Sequence, residues 1–320
     1  MTTSELEKGR RVDRKTYQNI GLILGPIIFI IMISNAGSQS LMPIVAWKVA
    51  SVGLLMAIWW ATEALPVAVT ALLPLVTFDL FQISSIKQAA APYANPTIYL
   101  FLGAFILAIA VQRWGLHKRI AFFLLSKTGT NGKKLIGGFM IIAAILSMWM
   151  TNTSTTMMLL PIALSVISVV LLQMNDLDDV SRINFQVSML LGLAFAATIG
   201  GMSTLIGTPP NALFAAYMRE TFQISISFLD WLILGVPLSM TMLLISWAIL
   251  TIVVYPSKVR ESNKVRTHLN HEYAALGRAS SSEKRVALIF GLVILFWIIR
   301  RPLANTFGIT GLSDASIALT

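Results

Sequence analysis

The chain has 320 residues, a net charge of +10, 56% hydrophobic and only 12% charged residues, and no cysteine. The charged share is about half that of a soluble domain. Several uncharged runs reach the roughly 20 residues that cross a hydrocarbon core of ~30 Å. These totals exclude a soluble domain, disulfides and thiolate or cysteine-metal chemistry, and a β-barrel would show short alternating segments instead. The fold class is an all-α polytopic membrane protein.

Taken in chain order, a basic segment at 1–17 precedes apolar spans at about 18–35, 43–61, 65–81 and 97–112. Residues 21–33 behind the basic segment imitate a signal peptide, but they lack a convincing cleavage site and read as an uncleaved first helix. Glu63, in WWATEALP, reads as a helix-start acid near Pro66. Residues 112–125 mix Trp, Phe and Leu with Arg113, Lys118 and Arg119, the pattern of a helix lying in the membrane interface. The following KTGTNGKK fails the phosphate-loop spacing and reads as a polar turn.

Two long uncharged segments come next, 135–175 and 183–218, then a span at 229–254, a hydrophilic linker at 255–285 and a last span at 286–302. With the N-terminus in the cytoplasm, and 135–172 entering and leaving on one side, 19 of the 24 Lys and Arg fall in cytoplasmic segments. That is the positive-inside bias, so the high charge reports topology and excludes nucleic acid as a partner. His268 and His271 in the linker read as solvated side chains and not as metal ligands.

As one helix, 135–175 would be ~60 Å long. It must turn back, and the place for the turn is the polar block Thr151–Thr156, leaving arms at 135–150 and 157–172. A re-entrant hairpin and two short crossings both fit. In 183–218 the interruptions are Ile199-Gly200-Gly201 and Gly207-Thr208-Pro209-Pro210-Asn211, since glycine weakens a helix and proline removes a donor. Irregular backbone at membrane depth is tolerated only where it is buried in protein or lines a cavity, and paired interrupted helices point to a transporter site. Freed carbonyls and Ser, Thr and Asn oxygens suit a dehydrated Na⁺, and helix N-termini suit an anion. Neither segment contains Lys, Arg, Asp or Glu, so an anion would be held without a buried arginine. The plainer role of such a block is to glue helices by hydrogen bonds. Six polar positions in succession beside the Gly-Gly and Pro-Pro interruptions favour binding. The glycosylation pattern at Asn152-Thr153-Ser154 lies inside an apolar segment and is set aside.

The stretch TNTSTTMMLLPIAL resembles the Ser-Asn-Thr signature of the divalent anion:sodium symporters, which carry dicarboxylates, citrate and sulfate. IGGMSTLIGTPPN resembles the second signature of that family, and WWATEALPVAVTALLPL its early segment. The resemblance implies an elevator-type secondary transporter. It would be a homodimer in the plasma (inner) membrane of a bacterium, with Na⁺ as coupling ion, no cofactor and a small anionic substrate. Scaffold spans would occupy 18–112, an interfacial helix and turn 113–134, and the moving hairpin, broken helix and following span 135–254. A second inverted repeat would begin in 286–320. By motif matching, Na⁺ would meet Ser147, Thr151, Asn152 and Gly200. The substrate carboxylate would meet Asn152 and Thr153, with Thr208 and Pro209 close by. Thr151 stands where the family usually has serine, and the hydroxyl is kept.

The family carries a second hairpin and Ser-Asn-Thr tip that do not occur before Thr320, so the chain is expected to be a fragment of a longer transporter. The expected function is Na⁺-coupled symport of a C4-dicarboxylate such as succinate or malate. The alternatives are an anion exchanger, a sulfate or citrate carrier, or a non-transporting membrane scaffold. An intramembrane enzyme would need a nucleophile–base pair or metal ligands within the membrane. All three histidines lie in cytoplasmic segments and there is no cysteine, so an enzyme is not expected.

Overall fold

A computed structural model describes residues 15–173, 178–307 and 313–320; all but the last three residues of the N-terminal segment 1–17 fall outside them. The described residues are helices joined by turns, and six helical stretches are long and apolar enough to cross a membrane. They form two compact units, one ending at Asn95 and one beginning at Pro96.

In the first unit, α1 (Thr16–Ser34) and α2 (Ile44–Thr62) run antiparallel. Gly21 lies against Thr62, Gly25 lies against Leu55 and Trp59, and the Trp47 indole donates to the Met32 carbonyl at 2.8 Å. Two glycines on one face of α1 allow this close approach, the small-residue device of helix pairs in lipid. Glu63 ends α2, with a left-handed φ of 49°. It is therefore a C-terminal residue and not the expected helix-start acid, because the helix stops before Pro66 instead of starting there. The expected span 65–81 is split into α3 (Val67–Thr70) and α4 (Leu73–Leu80). Pro74 follows directly on the first residue of α4, where a missing N–H does no harm. Ser85 and Gln88 then cap the short α5 (Ile86–Ala90) reciprocally.

The second unit is built on α6 (Pro96–Arg113), α7 (Leu116–Lys127), α8 (Gly132–Ser147), α9 (Asn152–Gln173), α10 (Asp179–Met202), α11 (Pro209–Phe222), α12 (Phe228–Ala248), α13 (Asn263–Ala275), α14 (Ser281–Phe307) and α15 (Asp314–Leu319). Its main core lies among α8, α9 and α10. Leu135, Ile136, Phe139, Ile142 and Ala143 meet Leu159, Ala163 and Val170 and, from α10, Phe185, Met189 and Ala196, all fully buried. In lipid this packing is held by dispersion and shape, since tails are as apolar as leucine.

The linker 255–285 departs from its expected solvated course. It contains α13, which packs on the expected interfacial helix α7 and buries Val265 and Leu269. The Arg119 guanidinium on α7 fastens both ends of the turn that follows. It donates to both Glu283 carboxylate oxygens at 3.0 and 3.2 Å and to the Gly277 and Leu276 carbonyls at 3.0 and 3.3 Å. The same bonds hold the Glu283 carboxyl below its ordinary pKa and the Arg119 guanidinium above its own. The base of α8 is tied in as well, Gly132 N donating to the Val259 carbonyl and Ser262 N to the Thr130 hydroxyl, both at 3.1 Å. His268 is half-buried beside the Ser165 hydroxyl at 3.1 Å, whereas His271 is exposed. His117, in the first turn of α7, is buried, its Nδ1 3.1 Å from the Val111 carbonyl, and burial lowers its pKa.

Candidate functional site

The turn between α8 and α9 is shorter than the polar block suggested. It comprises 148–151, and Asn152–Thr156 form the first turn of α9. The reason is capping: the Thr151 hydroxyl accepts the Ser154 N–H at 3.2 Å and donates to the Ser154 hydroxyl at 2.9 Å, so the polar run starts a helix instead of interrupting one. Trp149 anchors the turn by stacking with Phe228 of α12 at 6.0 Å and Trp297 of α14 at 6.4 Å.

The second interruption is also single. Helix α10 runs through Gly200 and Gly201 to Met202, and the break is confined to 203–208. The two glycines serve contact and not disorder. A Cβ on Gly200 would overlap the Ala144 backbone of α8, and one on Gly201 would overlap the Asn152 side-chain oxygen. The four carbonyls at the C-terminal end of α10, orphaned by helix geometry, all have partners. Ile199 accepts from the Ser239 hydroxyl at 2.9 Å, Gly200 from Ser203 N at 3.0 Å, Gly201 from Asn211 Nδ2 at 3.0 Å, and Met202 from the Trp231 indole at 3.0 Å. Asn211 also donates to the Thr204 carbonyl at 2.8 Å, and the Thr204 hydroxyl donates across to the Met148 carbonyl of the hairpin turn. The two breaks therefore meet.

Of the residues singled out by sequence, the structure brings Ser147, Asn152 and the glycine pair together. Ser147 is fully buried and donates to Asn152 Oδ1 at 2.7 Å, beside Gly201. Gly200 keeps one carbonyl lone pair beyond its bond to Ser203. Thr151 is turned to its capping role. Thr153 and Pro209 are exposed and Thr208 is half-buried, the residue preceding α11. No hydrogen bond among the described residues joins Thr153 or Thr208 to Asn152. At the start of α9 the Asn152 and Thr153 N–H groups have no partner among the described residues. The start of α11 is different, because Pro209 and Pro210 have no N–H. Two of its expected N–H donors to an anion are thereby missing.

Sequence reasoning missed Thr204 and Asn211 as the struts between the breaks, and the full burial of the Thr155 hydroxyl, which has no hydrogen-bond partner. An asparagine directly after Pro-Pro was the available signal for Asn211, since its amide can reach back to carbonyls the prolines cannot cap.

The chain matches the family model for citrate transporters over residues 57–320. It is 37% identical over 307 residues to the sodium-dependent dicarboxylate transporter SdcS of Staphylococcus aureus (strain USA300), covering 94% of this chain and 58% of that relative. The same-named protein of strain MRSA252 is 37% identical over 309 residues, covering 95% and 59%. The chain thus spans somewhat under two thirds of the length of these curated relatives.

Proposed function

The chain belongs to the citrate-transporter family, within the divalent anion:sodium symporters, and from that premise we propose that it serves Na⁺-coupled symport of a divalent anion, most directly a C4-dicarboxylate such as succinate or malate. The observation that carries the reading is the meeting of two helix breaks around Asn152, with Gly201 against its side chain and Thr204 bonded to the hairpin turn. Neutral oxygens from Ser147, Thr151, Asn152 and Gly200 would surround the cation. The unpaired N–H groups at the start of α9, at the positive end of its dipole, would face a substrate carboxylate, with Thr153, Thr208 and Pro209 around it. No charged side chain occurs in 135–175 or 183–218, so cation and anion would neutralise one another. That coupling is the physical basis for symport: each ion lowers the electrostatic cost of burying the other.

In this reading the N-terminus is cytoplasmic, and the α8–α9 hairpin, α10–α11 and the following span α12 move as one body in an elevator within a homodimer. The scaffold is built from 18–112, with 113–134 and 255–285 on the cytoplasmic side and 286–320 opening the second repeat. The SdcS relatives, sodium-dependent dicarboxylate transporters by name, support the choice of ion and substrate. The test is uptake of labelled succinate into proteoliposomes, with Na⁺ or choline outside. Uptake with Na⁺ alone supports the proposal, whereas counterflow that is equal in both salts would make the protein an exchanger.

A further inference from the structure

We infer that Thr155 is a further oxygen ligand of the cation held at the hairpin tip, beside the Thr151 hydroxyl; the inference rests on the Na⁺-coupled reading above. Three observations converge. First, Thr155 is fully buried and its hydroxyl has no hydrogen-bond partner. An unsatisfied buried hydroxyl is costly and calls for a role, a bound ion among them.

Second, its position is set by the helix. Thr155 stands three residues after Asn152, and side chains at that spacing share a face with Cβ atoms about 5–6 Å apart. The face continues through Leu159, Ala163, Val166 and Val170, all buried, so Thr155 is the polar residue that follows Asn152 on the buried face of α9. Third, the Thr151 oxygen is committed, accepting the Ser154 N–H and donating to the Ser154 hydroxyl. It keeps one lone pair, which a cation would share with the cap of α9. The Thr155 oxygen can take up the cation without breaking any bond. With Ser147, Thr151, Asn152 and Gly200, Thr155 would offer five neutral oxygens to one cation.

A ligand of the coupling ion and a residue that merely packs respond with opposite signs. Thr155→Val keeps the shape and removes the hydroxyl, which leaves the Na⁺-free fold as stable as before or more so. It raises the Na⁺ concentration for half-maximal succinate uptake at least fivefold and reduces the Na⁺-induced rise in melting temperature. Thr155→Ser stays within about twofold of the parent in both. Thr155→Cys, which keeps the size but offers a soft sulfur to a hard cation, behaves as the valine variant and serves if that variant is poorly produced. The measurements use the full-length transporter in proteoliposomes and detergent, with choline replacing Na⁺ as control. A valine or cysteine variant with the parent's Na⁺ half-saturation overturns the assignment of Thr155 alone. A parent whose uptake and melting ignore Na⁺ overturns the underlying cation reading and this inference with it.

Discussion

Helices α1 and α10 are both apolar and both long enough to cross a membrane, yet they are packed in different ways. Three of the 19 residues of α1 are buried, against eleven of the 24 in α10, among them Gly192, Gly200 and Gly201. Ile20, Ile23, Ile27, Ile30 and Ile31 of α1 are exposed and suit lipid tails or another protein surface. The contrast teaches that apolar content marks which segments enter the membrane, while small and hydroxyl residues mark which of them close on one another. In α10 that closure brings a backbone, Ala144, and a side-chain oxygen, Asn152, against two glycines at the level where the helix ends.

The largest effect that could break this contrast comes from Gly200→Ala. Its methyl group would collide with Ala144 backbone, which cannot move aside as a flexible side chain could, so a loss of about 3 kcal/mol or more is expected, read as a sharp fall in melting temperature and folded yield. Gly53→Ala in α2 is the counterpart: nothing stands within 4 Å of an added Cβ, and helix propensity favours alanine by about 0.5–1 kcal/mol, so the melting temperature holds or rises slightly. Equal losses from the two would abolish the distinction.

Next in size is Arg119→Ala, which removes a half-buried ion pair and two carbonyl contacts. A loss of about 1–3 kcal/mol is expected, confined to α13 and its turn and read as faster hydrogen exchange over 263–285. Acid has a smaller effect through His117. Its folded pKa lies below the unfolded one, so the unfolded state binds the extra proton and stability falls as pH drops below the ordinary histidine range. His117→Gln should flatten that part of the melting-temperature profile. Smallest of all is Lys134→Ala, whose ion pair with Glu261 is more than half exposed on both sides. A change of under about 0.5 kcal/mol is expected.

Much of the fold was legible. Each expected span coincides with a helix or a broken helix, because hydropathy and bilayer thickness fix span length. The errors share a cause, the reading of local propensity where tertiary contact decides. Glycines 200 and 201 were read as a break and are instead contact points inside a helix. The polar run after Thr151 was read as a loop and is a capped helical start. The linker was read from its charges, although Ser262 as cap and Val265 and Leu269 four apart signalled α13. At the site, Ser147 and Asn152 could be named from motif resemblance, but the strut Thr204 could not, since a hydrogen bond across 56 residues leaves no local pattern.

The central claim is that Asn152, set between Ser147 and Gly201, joins cation and anion binding. The most direct test is Na⁺-dependent succinate uptake by Asn152→Ala in the full-length transporter, at matched amounts of folded protein. At least a tenfold loss of uptake is expected, together with a raised Na⁺ requirement. Uptake and Na⁺ dependence equal to the parent's would contradict it.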